Sequence, residues 1–377
     1  MRGKVVIAGV GQTKFGKLVG RTPVSMNVEA CRKALNEAGV SKDEVDAVLV
    51  KYPTSKFQSK FGQTVAEALG IMPRIGGVWD QAGASGISMI SFAAMAIEHG
   101  QCEVALVCMS DNPRTGTRSA YSKPRGGADG SGTHGWVSTT AGYAMIAQRH
   151  MGEHGTTPEQ LASVAINNRA NGAKNPNAQL KIPISLEDYM QSRFIVEPLR
   201  RDDCCLISDG GAAVVVMSAE RAKKIGVDKA VPILGFGQGQ TSWEVAQRPN
   251  LTRTMAHKSG ATAFKMAGIS PKDIDVAQFY DCFTITPIMS LEDYGFCQHG
   301  QGGAFVGDGG IGWEGGLPFN TAGGLLSETG MPGMQLVIEG VRQMRGDANL
   351  QVPGAQKGIV SNQGGEMHTH STLILGQ

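Results

Sequence analysis

The sequence predicts an α/β protein made of two duplicated halves, and three observations carry that prediction. Strand-like and helix-like segments alternate with short connections from the first residues onward, which is the pattern of a doubly wound α/β layer. The element order before residue 110 returns after residue 229 without residue-level identity, as expected of a duplicated fold. The chain has 377 residues, beyond the size at which one hydrophobic core stops growing.

Residues 4–10 read as a buried strand. Residues 23–38 read as an amphipathic helix, with Val24, Met26, Val28, Ala30, Cys31, Ala34 and Leu35 apolar and Gly39 as its stop. A strand at 45–50, a short helix at 63–69 and a strand at 77–80 follow. The helix at 84–99 carries Ile87, Met89, Ile90, Phe92, Met95 and Ile97 with small residues between them. It is apolar nearly all round, so it is expected to be buried on all sides. A strand at 104–109 closes this run.

Residues 112–133 are rich in Gly, Ser, Arg and Pro and read as an irregular excursion, followed by helices at 139–152 and 157–171. Residues 111–199 are therefore expected to be an inserted loop subdomain, and long insertions in enzymes commonly serve binding. The core resumes at Ser208-Asp209-Gly210-Gly211 with a strand at 212–217. The second half reads as strand 231–236, helix 254–267, strand 275–280, helix 284–294, helix 334–344 and closing strands 358–361 and 371–375. The expected units are residues 1–110 plus 200–228, the insertion 111–199, and residues 229–377.

Composition narrows the function classes. A net charge of +2 gives no argument for nucleic acid or a membrane surface. The 52 glycines are about twice the usual share and follow no collagen-like period, so they belong to turns and close backbone approaches. The 7 cysteines form no CxxC pair, which indicates neither a zinc site nor a disulfide framework. No metal is expected in this chain. The apolar run after Met1-Arg2-Gly3-Lys4 is too short for a signal peptide, and no run reaches the length of a membrane span. A cytoplasmic location is expected.

One turn stands out for chemistry: Gln81-Ala82-Gly83-Ala84-Ser85-Gly86, between a strand and the buried helix. The first N–H groups of a helix lack intrahelical partners and carry partial positive charge, so such a turn can hold a nucleophile or an oxyanion. The small residues let a substrate approach the backbone. The plain alternative is a tight packing turn. Doubly wound sheets bind ligands where loops meet beyond the strand ends, here at Gly83, Tyr280, Gly330 and Gly364.

These segments resemble the thiolase superfamily over nearly the whole chain. Gly83-Ala84-Ser85-Gly86 is similar to the Cys-Ala-Ser-Gly motif, with glycine in place of the nucleophilic cysteine. Arg201-Asp202-Asp203-Cys204-Cys205 with Ser208 to Ala212 resembles the return from the inserted loop. Tyr280-Asp281-Cys282-Phe283 stands where thiolases carry Asn-Glu-Ala-Phe and their sterol-carrier relatives His-Asp-Cys-Phe. Asn320 to Gly324 resembles the lead into a Gly-His-Pro motif whose histidine falls on Gly330 or Met331, and Asn362-Gln363-Gly364-Gly365 resembles the last glycine-rich motif, with Ser361 and Asn362 where a cysteine would be. The resemblance implies a layered α-β-α-β-α fold of two stacked five-stranded sheets, a coenzyme A thioester as substrate, and a homodimer paired through the strand before Gly83.

A thiolate is needed to attack a thioester, and Gly83 cannot supply one, so the two-step acyl-enzyme mechanism is not expected. The pattern resembles more closely the lipid-transfer-protein-like aldolases of steroid side chains. That resemblance implies retro-aldol cleavage of a β-hydroxyacyl-CoA with tyrosines as acid and base, and a small zinc-ribbon/OB-fold partner protein. Tyr280 matches one such tyrosine, whereas Ser327-Glu328-Thr329-Gly330 lacks the other.

The expected proton-transfer groups are Tyr280, His368 and His370, the two histidines sharing a face if they alternate along a strand. Backbone groups of Gly83, Ala84, Gly364 and Gly365 are expected to hold the thioester oxygen, and Ser85, Cys282, Phe283, Gly330 and Met331 to line the pocket. The alternative readings are Tyr280 as a core aromatic, Cys282 as a displaced nucleophile or a buried apolar cysteine, and the histidines as surface residues. The function expected is cleavage or formation of a carbon–carbon bond beta to a CoA thioester without a cysteine nucleophile. It would proceed by retro-aldol or direct CoA-dependent retro-Claisen chemistry on a lipid, steroid or aromatic acyl-CoA. The alternatives are a non-catalytic acyl-CoA- or lipid-binding homologue and a structural subunit.

Overall fold

The computed structural model describes residues 2–377 except 57, 118–135, 137, 244 and 332, so most of the 112–133 excursion lies outside the described residues. The first half runs β1 (Val5–Gln12), α1 (Pro23–Ala38), β2 (Ala47–Lys51), α2 (Phe61–Leu69), β3 (Ile75–Trp79), α3 (Ser85–Glu98) and β4 (Val104–Asp111). Then come α4 (Thr139–His154), α5 (Pro158–Lys174), α6 (Leu186–Gln191), the hairpin β5 (Phe194–Val196) and β6 (Leu199–Arg200), β7 (Gly210–Ser218) and α7 (Ala219–Lys224). The second half runs β8 (Val231–Gln240), α8 (Ala256–Ala267), β9 (Val276–Phe279), α9 (Ile285–Tyr294), α10 (Gly302–Gly307), α11 (Gly324–Ser327), α12 (Met334–Arg345), β10 (Lys357–Gly364) and β11 (Thr369–Gly376).

Local chemistry explains the element ends. Thr22 caps α1 through a reciprocal bond with Ser25, Pro23 fits the first turn, and Gly39 ends the helix at φ 65°. Thr157 and Gln160 form the same box at the start of α5. Both faces of β1, β2, β4 and β7 are buried, which is why these segments read as continuous apolar runs rather than alternating ones.

The strands follow the order β3-β2-β4-β7-β1-β8-β11-β10-β9. β3, β2 and β4 are mutually parallel, β7 and β1 antiparallel to their neighbours, and β10 lies parallel to β9 and antiparallel to β11. Helices α3 and α12 touch strands of both halves, α1 and α2 pack on the far side of the first, and α8 and α9 on the second. This is the layered helix–sheet–helix–sheet–helix arrangement. Two details differ from expectation. Among the described residues the second half has four strands rather than five, and β1 pairs with β8 over Val6↔Pro232 and Ile7↔Val231, so nine strands form one hydrogen-bonded series instead of two separate sheets. The pairing spans only two residues, and the halves still clasp a common helix layer.

That shared layer is the core. Ile87, Met89 and Ile90 of α3 and Leu336, Val337 and Ile338 of α12 are all buried. Each such side chain stabilises the fold by roughly 1.5–3 kcal/mol. The sequence pattern predicts burial on all sides, but Met95 of α3 is exposed; the rest of the helix lies against both halves and cannot shift without disturbing them, which fixes the turn at its N-terminus.

Candidate active site

The site is built from four loops, and glycines set how closely they approach. Ala82 takes φ 49°, a left-handed conformation unfavourable for a residue with a Cβ. The turn is locked by Ser85, whose hydroxyl accepts the Gln81 N–H at 2.8 Å and donates to the Ala82 carbonyl at 2.8 Å. The Ala84 N–H donates to the Gln81 carbonyl at 3.0 Å. Ala84 is therefore removed from the expected oxyanion donors, and Ser85 acts as a tie within the turn rather than as pocket wall.

Gly83 has no spare room. A Cβ built there would lie 2.3 Å from the Gln363 carbonyl oxygen and 2.6 Å from Cε2 and Cζ of Tyr280. The carbon that bears the Tyr280 hydroxyl thus occupies the place where a cysteine side chain would begin. Tyr280 is aimed by its backbone: its N–H donates to the Ser361 carbonyl at 2.9 Å, and its carbonyl accepts the Thr286 hydroxyl at 2.7 Å. Asp281, next in sequence, is fully buried and accepts the N–H groups of Leu325 and Leu326 and the Asn168 amide. Burial pushes its carboxyl up to about 6 against those bonds. It fastens the loop after Asn320 to the Tyr280 loop.

The last motif closes over the same turn. A Cβ on Gly364 would lie 2.2 Å from the Gln81 carbonyl oxygen, so only glycine lets these loops touch. His368 folds back on Gly365, where a Cβ would meet its Cε1 at 1.6 Å, and its ring stands edge-on to Trp243 at 4.3 Å. Gly365 is thus covered by an imidazole.

His370 is not part of this cluster. β11 begins at Thr369, so His368 lies in the preceding turn and the two histidines do not share a strand face. The His370 ring bonds the Ser361 hydroxyl at 2.7 Å and stands edge-on to Tyr294 of α9. Asn362 and Ser371, on the opposite sheet face, point to the α3 side, where Ser371 bonds Ser88. Burial, and secondarily His257, pushes the His370 imidazole down to about 3, so it is neutral and encased.

Cys282 is buried and accepts the Gln363 amide at 3.0 Å, and burial holds its thiol well above the usual range. A displaced nucleophile is not what this environment makes. Phe283 stacks on Tyr143 of α4 at 4.4 Å. At Gly330 a Cβ would lie 1.6 Å from the Leu206 carbonyl oxygen, so no histidine can stand there. Met331 is fully buried, against Gly210.

Sequence reasoning missed Tyr143, Gln363 and Asn362 as site residues. The Tyr143 hydroxyl meets the Gln363 amide, whose nitrogen lies 2.6 Å away, and donates to the Gly365 carbonyl. Burial first, then the neighbouring Cys282, raises this phenol well above its ordinary value. Tyr143 sits 220 residues before Gln363, and no local spacing could join them. Asn362 stood in view as the replacement for a cysteine, without a role.

Comparison with known proteins gives the family. The thiolase N-terminal domain model matches residues 5–220 and the model described as thiolase C-terminal domain-like matches residues 237–377. The chain is 34% identical over 396 residues to the 17-hydroxy-3-oxo-4-pregnene-20-carboxyl-CoA lyase of Mycobacterium tuberculosis, covering 100% of each chain. It is 35% identical over 396 residues to the steroid side-chain-cleaving aldolase of Thermomonospora curvata, covering 99% of this chain and 98% of that one. It is 34% identical over 387 residues to the acetyl-CoA acetyltransferase of Methanothermobacter thermautotrophicus, covering 99% of each. The solved Ltp2-ChsH2(DUF35) aldolase superposes with a TM-score of 0.89 at 34% identity, covering 100% of this chain and 98% of that chain. The chain belongs to the thiolase superfamily, in its sterol-carrier-protein-like branch. Its relatives are acyl-CoA lyases, aldolases and thiolases, so it is an enzyme of the thiolase kind.

Proposed function

We propose that this enzyme cleaves or forms the carbon–carbon bond beta to a CoA thioester without a covalent acyl-enzyme, by retro-aldol chemistry on a β-hydroxyacyl-CoA. The observation that carries the reading is the Tyr280 ring standing in the space of the absent Gly83 side chain. Retro-aldol cleavage removes a proton from the β-hydroxyl, breaks the Cα–Cβ bond and leaves an enolate of the acyl-CoA, which is then protonated at carbon. Tyr280 in its phenolate form takes the first proton, and the phenol so formed returns it to the enolate carbon. Backbone groups at Gly83 and Gly364 supply the polar surroundings an enolate oxygen requires. His368, over Gly365, is the second proton carrier in this proposal. Direct attack of free CoA on a β-keto group needs a base for a thiol instead, and no observation at Tyr280 favours it.

The substrate class proposed is a lipid, steroid or aromatic acyl-CoA. The names of the lyase and aldolase relatives support a steroid-like acyl group, and the Ltp2-ChsH2(DUF35) pairing supports a small zinc-ribbon/OB-fold partner for this chain. A homodimer and a cytoplasmic location complete the proposal; among the described residues no helix is long and apolar enough to cross a membrane. The test is incubation with a β-hydroxyacyl-CoA and with a β-ketoacyl-CoA plus free CoA, each with and without the partner, followed by product analysis and intact-mass spectrometry. Cleavage of the hydroxy substrate with no mass added to the protein is expected. Turnover of the keto substrate alone, through an acylated protein, would overturn the proposal.

A further inference from the structure

We infer that the side-chain amide of Asn362 joins the backbone groups at Gly83 and Gly364 in binding the thioester carbonyl oxygen of the substrate, at one of the two positions where the missing cysteine of the last motif would stand. The inference rests on the acyl-CoA reading above. Asn362 lies in β10 opposite Ser371 of β11 and is fully buried. Its backbone belongs to the sheet, yet neither Nδ2 nor Oδ1 has a hydrogen-bond partner among the described residues. A buried amide with all its capacity unused is costly to keep in a folded protein, and such groups call for a reason.

What surrounds it points to a ligand. Two glycines, Gly333 and Gly86, flank the amide. A Cβ on Gly333 would lie 2.4 Å from Asn362 Nδ2 and 3.0 Å from the Gly83 carbonyl oxygen, and one on Gly86 would lie 3.7 Å from Nδ2. Gly333 has φ 87°, so a side chain is disfavoured there on backbone grounds as well. The amide thus stands at the meeting point of the Gly83 turn, the first turn of α3 and the entry to α12. Its neighbours there leave it bare instead of bonding it. Other polar groups of β10 and β11 are treated differently: Ser361 bonds His370 and Tyr294, Gln363 bonds Tyr143 and Cys282, and Ser371 bonds Ser88. Asn362 is the member of this row left with donor and acceptor both unused, next to the turn that carries Gly83.

An amide N–H directed at a carbonyl oxygen strengthens its bond as negative charge develops on that oxygen, which is what enolate formation requires. A neutral donor also fits a site that cannot rely on a histidine at Gly330 or Met331.

The experiment compares butanoyl-CoA with S-butyl-CoA, a thioether in which a methylene replaces the carbonyl, by calorimetry on the wild-type chain, Asn362→Ala and isosteric Asn362→Asp. Wild type should bind the thioester at least tenfold more tightly than the thioether. Both variants should lose that preference while still binding the thioether as wild type does, and kcat on a β-hydroxyacyl-CoA should fall by about 10²–10³. Asn362→Ala should melt no lower than wild type, because it removes two unbonded buried atoms. Equal preference for the thioester in wild type and variants would overturn the inference and leave the acyl-CoA reading intact. Failure of wild type to bind either ligand would remove the acyl-CoA reading and this inference with it.

Discussion

At position 83 the missing side chain is a steric fact as well as a chemical one. The Tyr280 ring and the Gln363 carbonyl leave no volume for a Cβ, and the carbonyl is backbone that cannot swing away. Gly83→Cys should therefore fail twice: the Tyr280 ring must be displaced, and no histidine stands at Gly330 or Met331 to deprotonate the thiol. Turnover should drop at least tenfold and the melting temperature should fall, with no acylated protein in intact-mass spectra. A stable variant carrying an acyl group would contradict this account of the turn. Residue identity was legible where a motif position was empty or replaced. The use of that emptiness was not, since the Tyr280 ring arrives from a loop almost 200 residues away.

At the scale of elements, β11 shows why a period-2 argument misplaced a histidine. The alternation holds only inside a strand, and the strand starts at Thr369, one residue after His368. His370 then takes the face toward α9, where burial holds its imidazole down to about 3, below the ordinary 6.5. The unfolded chain therefore binds this proton more readily than the folded one. The contribution of the neutral imidazole is complete above pH 6.5 and is lost as pH falls from 6.5 toward 3. Wild type should lose stability relative to His370→Gln at about 1.4 kcal/mol per pH unit in that window, as measured by urea denaturation at pH 7, 6 and 5. The pH–rate profile should carry no His370 step. Parallel pH dependences for the two proteins would show that the imidazole titrates normally.

The edge strand β3 is the second element with a consequence. Among the described residues it pairs with β2 alone; Val78 on it is exposed, as are Met72 just before it and Met95 on α3. An open edge with apolar neighbours suits pairing with a second copy across a two-fold axis. Val78→Lys combined with Met95→Glu should convert a dimer into a monomer in light scattering at micromolar concentration. A wild-type monomer under those conditions would remove the dimer from the proposal.

For the whole molecule, the layered order was legible because buried strands and an all-round apolar helix leave strong patterns, and α3 was placed to within a residue at each end. The number of strands in the second half and the β1–β8 pairing were not legible, because edge pairing over two residues leaves no periodic trace. The site was half legible. Gly83, Tyr280, Gly364 and Gly365 converge as the loop argument required, whereas Tyr143 reaches them from helix α4 through a fold-level contact. Helix α4 thus builds part of the site wall.

The central claim is that Tyr280 replaces a cysteine-based mechanism with proton transfer by a phenol. The measurement that tests it most directly is the rate of carbon–carbon cleavage of a β-hydroxyacyl-CoA by wild type and by Tyr280→Phe, with the partner protein present. Phenylalanine keeps the ring over Gly83 and removes only the hydroxyl. Positioned acid–base groups contribute a factor of about 10²–10⁴, so the account predicts a loss of turnover in that range with an unchanged melting temperature. A Tyr280→Phe enzyme that cleaves at a near-wild-type rate would contradict it.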